Sequence, residues 1–252
     1  MEIEFLGTGT STGIPQIGCD CKVCHSIDNK DKRLRTSAIF RKDGVDILID
    51  CGPDFRTQIL RASSRKIDAL LVTHSHYDHV GGIDDLRPYC DNNPFSIYCQ
   101  KNVIEDLMAR IPYCFKEHPY PGVPSFNLIE INDNIPFFVK NVRIEPIQVM
   151  HFKLPIVGYK IDNVAYITDA KSINKDVIER LKDIPYLIIN ALRIAPHISH
   201  MSLSETLSII SQINPKKAYL IHVSHDMGFQ KEISITLPSN VEFAYDGLIL
   251  KV

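Results

Sequence analysis

Residues 67–79 read Ile67-Asp-Ala-Leu-Leu-Val-Thr73 and then His74-Ser-His-Tyr-Asp-His79. The first half is an apolar run of strand length, bounded by polar residues, and predicts a buried strand over 67–72. The second half packs three imidazoles and one carboxylate into six positions. Imidazole is the commonest side-chain metal ligand, and a carboxylate adds charge neutralisation. The cluster sits just past the C-terminal end of its strand, where α/β sheets place their chemistry. Neighbouring residues cannot all wrap one ion, so other strand ends must contribute.

Three later residues stand where that requires. His151 follows an apolar strand at Val142–Val149, Asp169 follows Val164–Thr168, and His222 follows Ala218-Tyr-Leu-Ile221. Each is a ligand-type side chain at the tip of an apolar run, the arrangement a shared site needs.

Around these tips the chain reads as alternating short elements. A first strand at Glu2–Leu6 ends in Gly-Thr-Gly-Thr-Ser-Thr-Gly, a turn-forming loop. Strands at Thr36–Arg41 and Val45–Asp50 flank Lys-Asp-Gly, a hairpin signal. Asp54–Ala62 and Lys101–Ile111 read as helices, with a strand at Ser96–Cys99 between them. Four prolines (Pro112, Pro119, Pro121 and Pro124) stand among aromatics in 112–125 and predict an irregular excursion or lid. Further strands are expected at Phe126–Ile131, Pro136–Phe138, Ile156–Ile161, Tyr186–Asn190, Val241–Ala244 and Leu248–Lys251. Helices are expected at Lys175–Lys182 and Ser204–Ser211. The expectation is an α+β fold of one domain over 1–252: two packed, mostly antiparallel sheets with helices outside.

Bulk properties exclude several classes. A net charge of −2 argues against a strongly basic nucleic-acid surface. No run of about 18 apolar residues exists, so no membrane span is expected. The start, Met-Glu-Ile-Glu-Phe, lacks the regions of a signal peptide, which makes the cytoplasm the expected compartment. Thiols stay reduced there, and seven cysteines, an odd number, fit metal ligands plus core residues better than a disulfide set. Cys51, Cys90, Cys99 and Cys114 read as ordinary buried or half-buried thiols.

His74-x-His76-x-Asp78-His79, followed by His151, Asp169 and His222, resembles the metallo-β-lactamase superfamily over nearly the whole chain. The resemblance implies a four-layer αβ/βα sandwich with a dinuclear site along one edge. It implies that His74, His76 and His151 hold one ion, that Asp78, His79 and His222 hold the other, and that Asp169 bridges them. A bridging carboxylate is typical of the phosphodiesterase and thioesterase branches and absent from the true lactamases. Asp50, in Ile47-Leu-Ile-Asp-Cys-Gly-Pro53, matches an early Asp that supports a ligand. Two ions about 3.5–4 Å apart can clamp a phosphoryl group while a water between them ionises near neutral pH. Imidazole with carboxylate suits Zn²⁺ and is accepted by Mn²⁺. A redox di-iron relative carries Glu where His76 stands, so oxygen chemistry is not expected.

Cys19-Asp-Cys21-Lys-Val-Cys24 offers three thiolates, one donor short of a tetrahedral structural zinc site. His225 and His25 are the candidates for the fourth; His25 adjoins Cys24 and gives a cramped chelate. A Cys₃His site completed by His225 is similar to that of the PhnP-like branch, phosphodiesterases acting on phosphoribosyl 1,2-cyclic phosphate. The segment Asn190-Ala-Leu-Arg193-Ile-Ala-Pro-His197-Ile-Ser-His200 also resembles this branch. His200 matches a histidine that relatives place near the scissile phosphate, where it protonates the leaving oxygen. Asn190 departs from the pattern, because similar sequences often have Asp there. His197 is read as structural. Arg33, Arg35 and Arg87 are candidate phosphate contacts or salt-bridging arginines, and His118 either faces substrate or is an exposed lid residue.

The function this implies is hydrolysis of a small, cyclic or linear, phosphodiester by a hydroxide that a dinuclear centre activates. Asp78 and His200 are the expected catalytic residues. The expected cofactors are two active-site Zn or Mn ions and one structural Zn, and relatives are often homodimers. A transfer-RNA 3′-processing endonuclease is the main alternative, although this chain lacks the long basic arm of such enzymes. A glyoxalase-type thioesterase fits less well, and a non-catalytic metal-binding fold would show ligand loss. No nucleic-acid or membrane partner is expected.

Overall fold

The computed structural model of the chain describes residues 1–90, 93–118 and 120–252. Among them, fourteen strands form two seven-stranded sheets. The first sheet uses β1 (Glu2–Gly7), β2 (Ser37–Lys42), β3 (Val45–Ile49), β4 (Ala69–Leu71), β5 (Phe95–Cys99) and β6 (Phe126–Glu130) in sequence order. The second uses β7 (Phe137–Val139), β8 (Val142–His151), β9 (Leu154–Ile161), β10 (Val164–Ile167), β11 (Tyr186–Asn190), β12 (Lys217–Ile221) and β13 (Val241–Phe243). The final strand, β14 (Ile249–Lys251), crosses back to pair antiparallel with β1.

The central strands are buried on both faces, and their alternation decides the layering. Ile47, Ile49, Ala69 and Leu71 point into a core shared with Val157, Tyr159, Val164, Tyr166, Ile188 and Ile221 of the other sheet. Their in-between neighbours Leu48 and Leu70 face the opposite way, onto Phe55 of α1 (Phe55–Arg61) and Val103 and Leu107 of α3 (Lys101–Arg110). On the second sheet Ala165, Ile167, Leu187 and Ile189 likewise face outward. They meet Val177 and Ile178 of α4 (Lys175–Arg180) and Ile210 and Ile213 of α5 (Leu203–Ile213). Full burial of one such side chain contributes about 1.5–3 kcal/mol. Period-two apolar patterning on both faces therefore forces helix, sheet, sheet, helix, the four layers expected.

Strand direction differs from the expectation. Each sheet has three antiparallel pairings followed or preceded by three parallel ones, so both are mixed rather than mostly antiparallel. Strands joined by an outer-layer helix must run parallel, because a crossover returns the chain to the same end. Helices α1 and α3 to α5 stand in such positions, as do the short α2 (Tyr77–Val80) and α6 (Gln230–Ser234). The parallel half of each sheet aims its C-terminal ends at one edge of the sandwich.

In the 112–125 excursion, residues Pro112–Phe115 form a 3₁₀ turn and His118 and Tyr120 are exposed. Pro119 lies outside the described residues. The Tyr113 hydroxyl bonds Asp84, and Arg87 donates to the Gly122 carbonyl, fastening the excursion to the segment after the His cluster. No helix among the described residues is long and apolar enough to cross a membrane.

Candidate metal centre

Five strand ends deliver the side chains. Asp50 directly follows β3, Asp169 stands two residues past β10, and His222 directly follows β12. All three adopt left-handed backbone, φ 59°, 56° and 56°, which turns the side chain across the sheet edge instead of along it. That conformation costs a non-glycine residue about 1–2 kcal/mol and persists only where neighbours over-determine it. His151 ends β8, opposite Leu154 of the tight hairpin to β9. His74 and His76 follow β4, and the single turn of α2 carries Asp78 and His79, with His79 N–H donating to His76 O at 3.0 Å.

These residues gather into two adjoining sets. His74, His76 and His151 form one; Asp78, His79, Asp169 and His222 form the other, with the candidate donor atoms of each set within 4.8 Å of one another. Asp169 Oδ1 is 3.3 Å from His79 Nε2, and its Oδ2 is 3.2 Å from His222 Nε2 and 3.9 Å from His74 Nε2. Asp78 Oδ2 lies 3.2 Å from His79 Nε2 and 3.6 Å from His222 Nε2. Donors each about 2.0–2.1 Å from a tetrahedral Zn²⁺ stand roughly 3.3 Å apart. The spacing is that of atoms arranged around an ion.

Hydrogen bonding points the same way. Thr73 Oγ1 lies 3.1 Å from His74 Nδ1, Asp50 Oδ2 lies 2.7 Å from His79 Nδ1, and the Asp169 carbonyl lies 2.8 Å from His151 Nδ1. The rear nitrogens of His74, His79 and His151 are thus occupied, while buried Nε2 of His74, His79 and His222 has no hydrogen-bond partner, nor has His222 Nδ1. Buried polar atoms left unpaired cost about 1–3 kcal/mol each, and a cation removes that cost for all three. Charge agrees. Although burial opposes it, the neighbouring histidines hold the Asp78 and Asp169 carboxyls well below the usual carboxylate range. Burial pushes His74 well below its usual value, leaving a neutral imidazole. At His79 burial is overcome by Asp169, Asp78 and Asp50, which raise its pKa well above normal. The cluster therefore draws positive charge to the space before His79 Nε2. The residues fit a pair of divalent ions.

Asp50 is fully buried and accepts from Thr73 N–H and Thr73 Oγ1, both at 2.8 Å, as well as lying against His79. It fixes the His79 tautomer and ring plane. Asp50→Asn is expected to weaken metal binding about 10–100-fold with the fold retained, the usual cost of losing such a support. Isothermal titration with Zn²⁺ checks this, and an unchanged affinity would remove Asp50 from the centre.

His200 lies beside the ions' space. Its ring centroid is 4.7 Å from that of His151 and 4.9 Å from that of His222, and its Nδ1 is 3.7 Å from Asp169 Oδ2. It is mostly buried, and that burial pushes its pKa down to about 3. His197 is half-buried with its ring 5.2 Å from His200, and its Nδ1 lies 3.2 Å from Ser199 Oγ. Asn190 is fully buried, both atoms of its amide are bonded to the Ala170 main chain, and an amide does not titrate, so it has no acid–base role.

The arginines are committed elsewhere. Arg33 is 3% exposed and donates to Thr8 Oγ1, the Ala244 carbonyl and Gln230, which removes it from the phosphate contacts. Arg35 pairs with Asp54 at 2.9 Å and donates to the Ser11 carbonyl; Arg87 pairs with Asp84. The partners of Arg33 and Arg35 lie far away in sequence, where no local signal reveals them, whereas Asp84 is only three residues before Arg87.

The second cluster forms around the Cys loop. Sγ of Cys19, Cys21 and Cys24 lie 3.2, 3.4 and 3.4 Å from His225 Nδ1. His25 is turned toward the Cys21 carbonyl instead, at 3.1 Å. Donation from the Cys24 N–H to Cys21 Sγ helps push the Cys21 thiol down to about 6, so it ionises near neutral pH. Ile14, Val23 and Phe229 give this loop only a small apolar cluster, too little to order it alone. Four donors at these distances fit a tetrahedral Zn²⁺. Cys51 and Cys99 are buried and Cys90 and Cys114 half-buried.

A model of the β-lactamase superfamily domain matches residues 46–223. A solved diphosphatase of the PhnP family is 35% identical, with a TM-score of 0.92 over 99% of this chain and 96% of that one. Zn²⁺-bound PqqB from Methylobacterium extorquens, 18% identical with a TM-score of 0.84 over all of both chains, shares the fold. An octanoyltransferase from Porphyromonas gingivalis is 44% identical over 98% of this chain, which spans about half (51%) of that relative's length.

Proposed function

The chain belongs to the metallo-β-lactamase superfamily, and from that premise we propose that it is a dinuclear metal-dependent phosphodiesterase acting on a small phosphodiester. One observation carries the reading: two donor sets converge on adjoining spaces, with Asp169 between them and three buried imidazole Nε2 atoms unpartnered. His74, His76 and His151 would hold one ion, Asp78, His79 and His222 the other, and Asp169 both. When bound, such a pair polarises a phosphoryl oxygen and makes a water acidic enough to serve as nucleophile near neutral pH. The similarity to a PhnP-family diphosphatase supports cleavage of a P–O bond.

The chain's own residues do the rest. Asp50 and Thr73 hold His79 and His74 in register. His200 turns its Nδ1 inward to Asp169, leaving Nε2 for the open side of the site. There the N–H of a neutral imidazole would donate a hydrogen bond to the leaving oxygen and stabilise the charge that develops on it. His200→Gln is expected to lower kcat about 10²–10⁴-fold with metal content and KM nearly unchanged. A parallel loss of one metal equivalent would make His200 a ligand instead.

The reading is tested by assaying Zn²⁺- and Mn²⁺-loaded protein on bis(p-nitrophenyl) phosphate, nucleoside 2′,3′-cyclic phosphates and ribosyl 1,2-cyclic phosphates. Absence of turnover in every combination sinks it. Cleavage of precursor transfer RNA alone would move the protein to the endonuclease reading. A second reading, acyl transfer, is favoured by the 44% identical octanoyltransferase. The chain spans only half of that protein, and a metal-ligand cluster is not acyl-transfer machinery. Octanoyl transfer by the purified chain would establish it.

A further inference from the structure

We infer that Asn190 is a positioning residue for the metal centre: its carboxamide locks the two peptide units on either side of Ala170, to which Asp169, His151 and His200 are tied. Asn190 ends β11, is fully buried, and lies beside the exit of β10 because the two strands run parallel in register. Its Oδ1 accepts from the Ala170 N–H at 2.8 Å and its Nδ2 donates to the Ala170 carbonyl at 2.9 Å. One side chain thus satisfies both main-chain groups of the residue following Asp169.

That residue is a junction. The peptide nitrogen of Ala170 belongs to the same unit as the Asp169 carbonyl, which accepts from His151 Nδ1 and so sets that ring's rotation. The Ala170 carbonyl also accepts from Met201 N–H at 3.0 Å, which places the residue next to His200. The N–H of Lys171 donates to the Met150 carbonyl at 2.7 Å, adjacent to His151. Asp169 itself is held left-handed at φ 56°, a conformation that relaxes unless the next peptide is fixed. Rotation of these two peptide units would move Asp169, His151 and the residue beside His200 together.

The choice of amide follows from the two bonds. An ionised Asp at 190 could accept from the Ala170 N–H but would set a carboxylate oxygen against the Ala170 carbonyl; Leu could do neither. An amide, unlike a carboxylate or an alkyl group, offers an acceptor and a donor at once.

The inference rests on the dinuclear reading in treating Asp169 and His151 as ligands, and the test separates the two. Wild type, Asn190→Leu, Asn190→Asp, Asp169→Asn and Thr206→Val are stripped of metal and titrated with Co²⁺. The visible band of the His/Asp cluster is followed apart from the near-ultraviolet thiolate band of the Cys loop. Thr206 is the control, because its buried hydroxyl bonds the Asn190 carbonyl and not Ala170. Asn190→Leu should weaken cobalt binding at the His/Asp cluster about 10–100-fold and change its visible band, with the thiolate band unaltered. Asn190→Asp, which keeps one of the two bonds and nearly the same shape, should fall between and serves if the Leu variant does not fold. Thr206→Val should lower the thermal midpoint yet keep the wild-type visible band. If Asp169→Asn changes cobalt binding while both Asn190 variants match wild type, or if Thr206→Val moves the band equally, the inference is wrong. If Asp169→Asn itself binds as wild type does, the dinuclear reading fails instead.

Discussion

Asp169→Asn should reduce phosphodiester turnover by at least about 10³-fold, the scale on which one charge-stabilising group is lost. It should also remove one or both metal equivalents from the His/Asp cluster while leaving the Cys-bound ion in place. Among the described residues Asp169 is the carboxylate within 4 Å of four imidazoles, those of His74, His79, His200 and His222. Asp78 reaches only His79 and His222. Asp78→Ala should therefore empty one position and leave the other, whereas the Asp169 change disturbs both. Asn is the informative substitute because it keeps the shape and tolerates the left-handed backbone at φ 56°, so that only the charge is lost. Metal analysis beside turnover of bis(p-nitrophenyl) phosphate reads the result. Full metal content with wild-type turnover would exclude Asp169 as a bridge.

Much of this centre is legible in the sequence, because it obeys a local rule. His151, Asp169 and His222 each sit at the tip of an apolar run, and a strand tip fixes where a side chain goes without knowledge of its neighbours. The parallel halves of the sheets were implied as well: helices placed between consecutive strands demand parallel pairing, and the mostly antiparallel expectation overlooked it. The return of β14 to β1 had no such signal. An isolated strand of three residues carries no information about which of two sheet edges it completes.

What stayed hidden has a common physical origin in long-range backbone pairing. Arg33 looked like a phosphate contact because Thr8, Ala244 and Gln230, which saturate its guanidinium, are scattered over the chain. Asn190 looked like a lost acid because its partner, Ala170, lies twenty residues earlier. The left-handed turns at Asp50, Asp169 and His222 were equally invisible. Yet each is secured from outside its own strand. Cys51 N–H donates to the His79 carbonyl, Asn190 holds Ala170, and Val223 N–H donates to the Thr8 carbonyl of the N-terminal loop. The Gly-Thr-Gly-Thr start is therefore part of the site's support, with no ligand of its own.

Gly52→Ala should be the most damaging single methyl in the chain's metal edge. A Cβ at Gly52 would stand 2.0 Å from the Asp78 carbonyl oxygen and 3.0 Å from its carbon, a backbone-to-backbone approach in which no flexible side chain can yield. The backbone angle at Gly52 is ordinary, so the glycine is required by the closeness of the two loops. Around it, Cys51 N–H bonds the His79 carbonyl at 2.7 Å and Gly82 N–H bonds the Cys51 carbonyl at 2.9 Å. The added methyl must part these loops, which carry Asp50 on one side and Asp78 and His79 on the other. Overpacking typically costs about 1–3 kcal/mol, more where nothing can move. At about 3 kcal/mol the thermal midpoint of a chain this size falls by roughly 6–12 °C. Metal affinity should fall with it, because the 2.7 Å Asp50–His79 contact spans the widened gap. Gly44→Ala is the comparison: it sits in the exposed hairpin turn at φ 79° with open space around its Cβ. That variant should lose about 1–2 kcal/mol from backbone strain and keep wild-type metal affinity. If Gly52→Ala melts no lower than Gly44→Ala and binds metal as tightly as wild type, the two loops are not the rigid pair on which the centre's geometry depends.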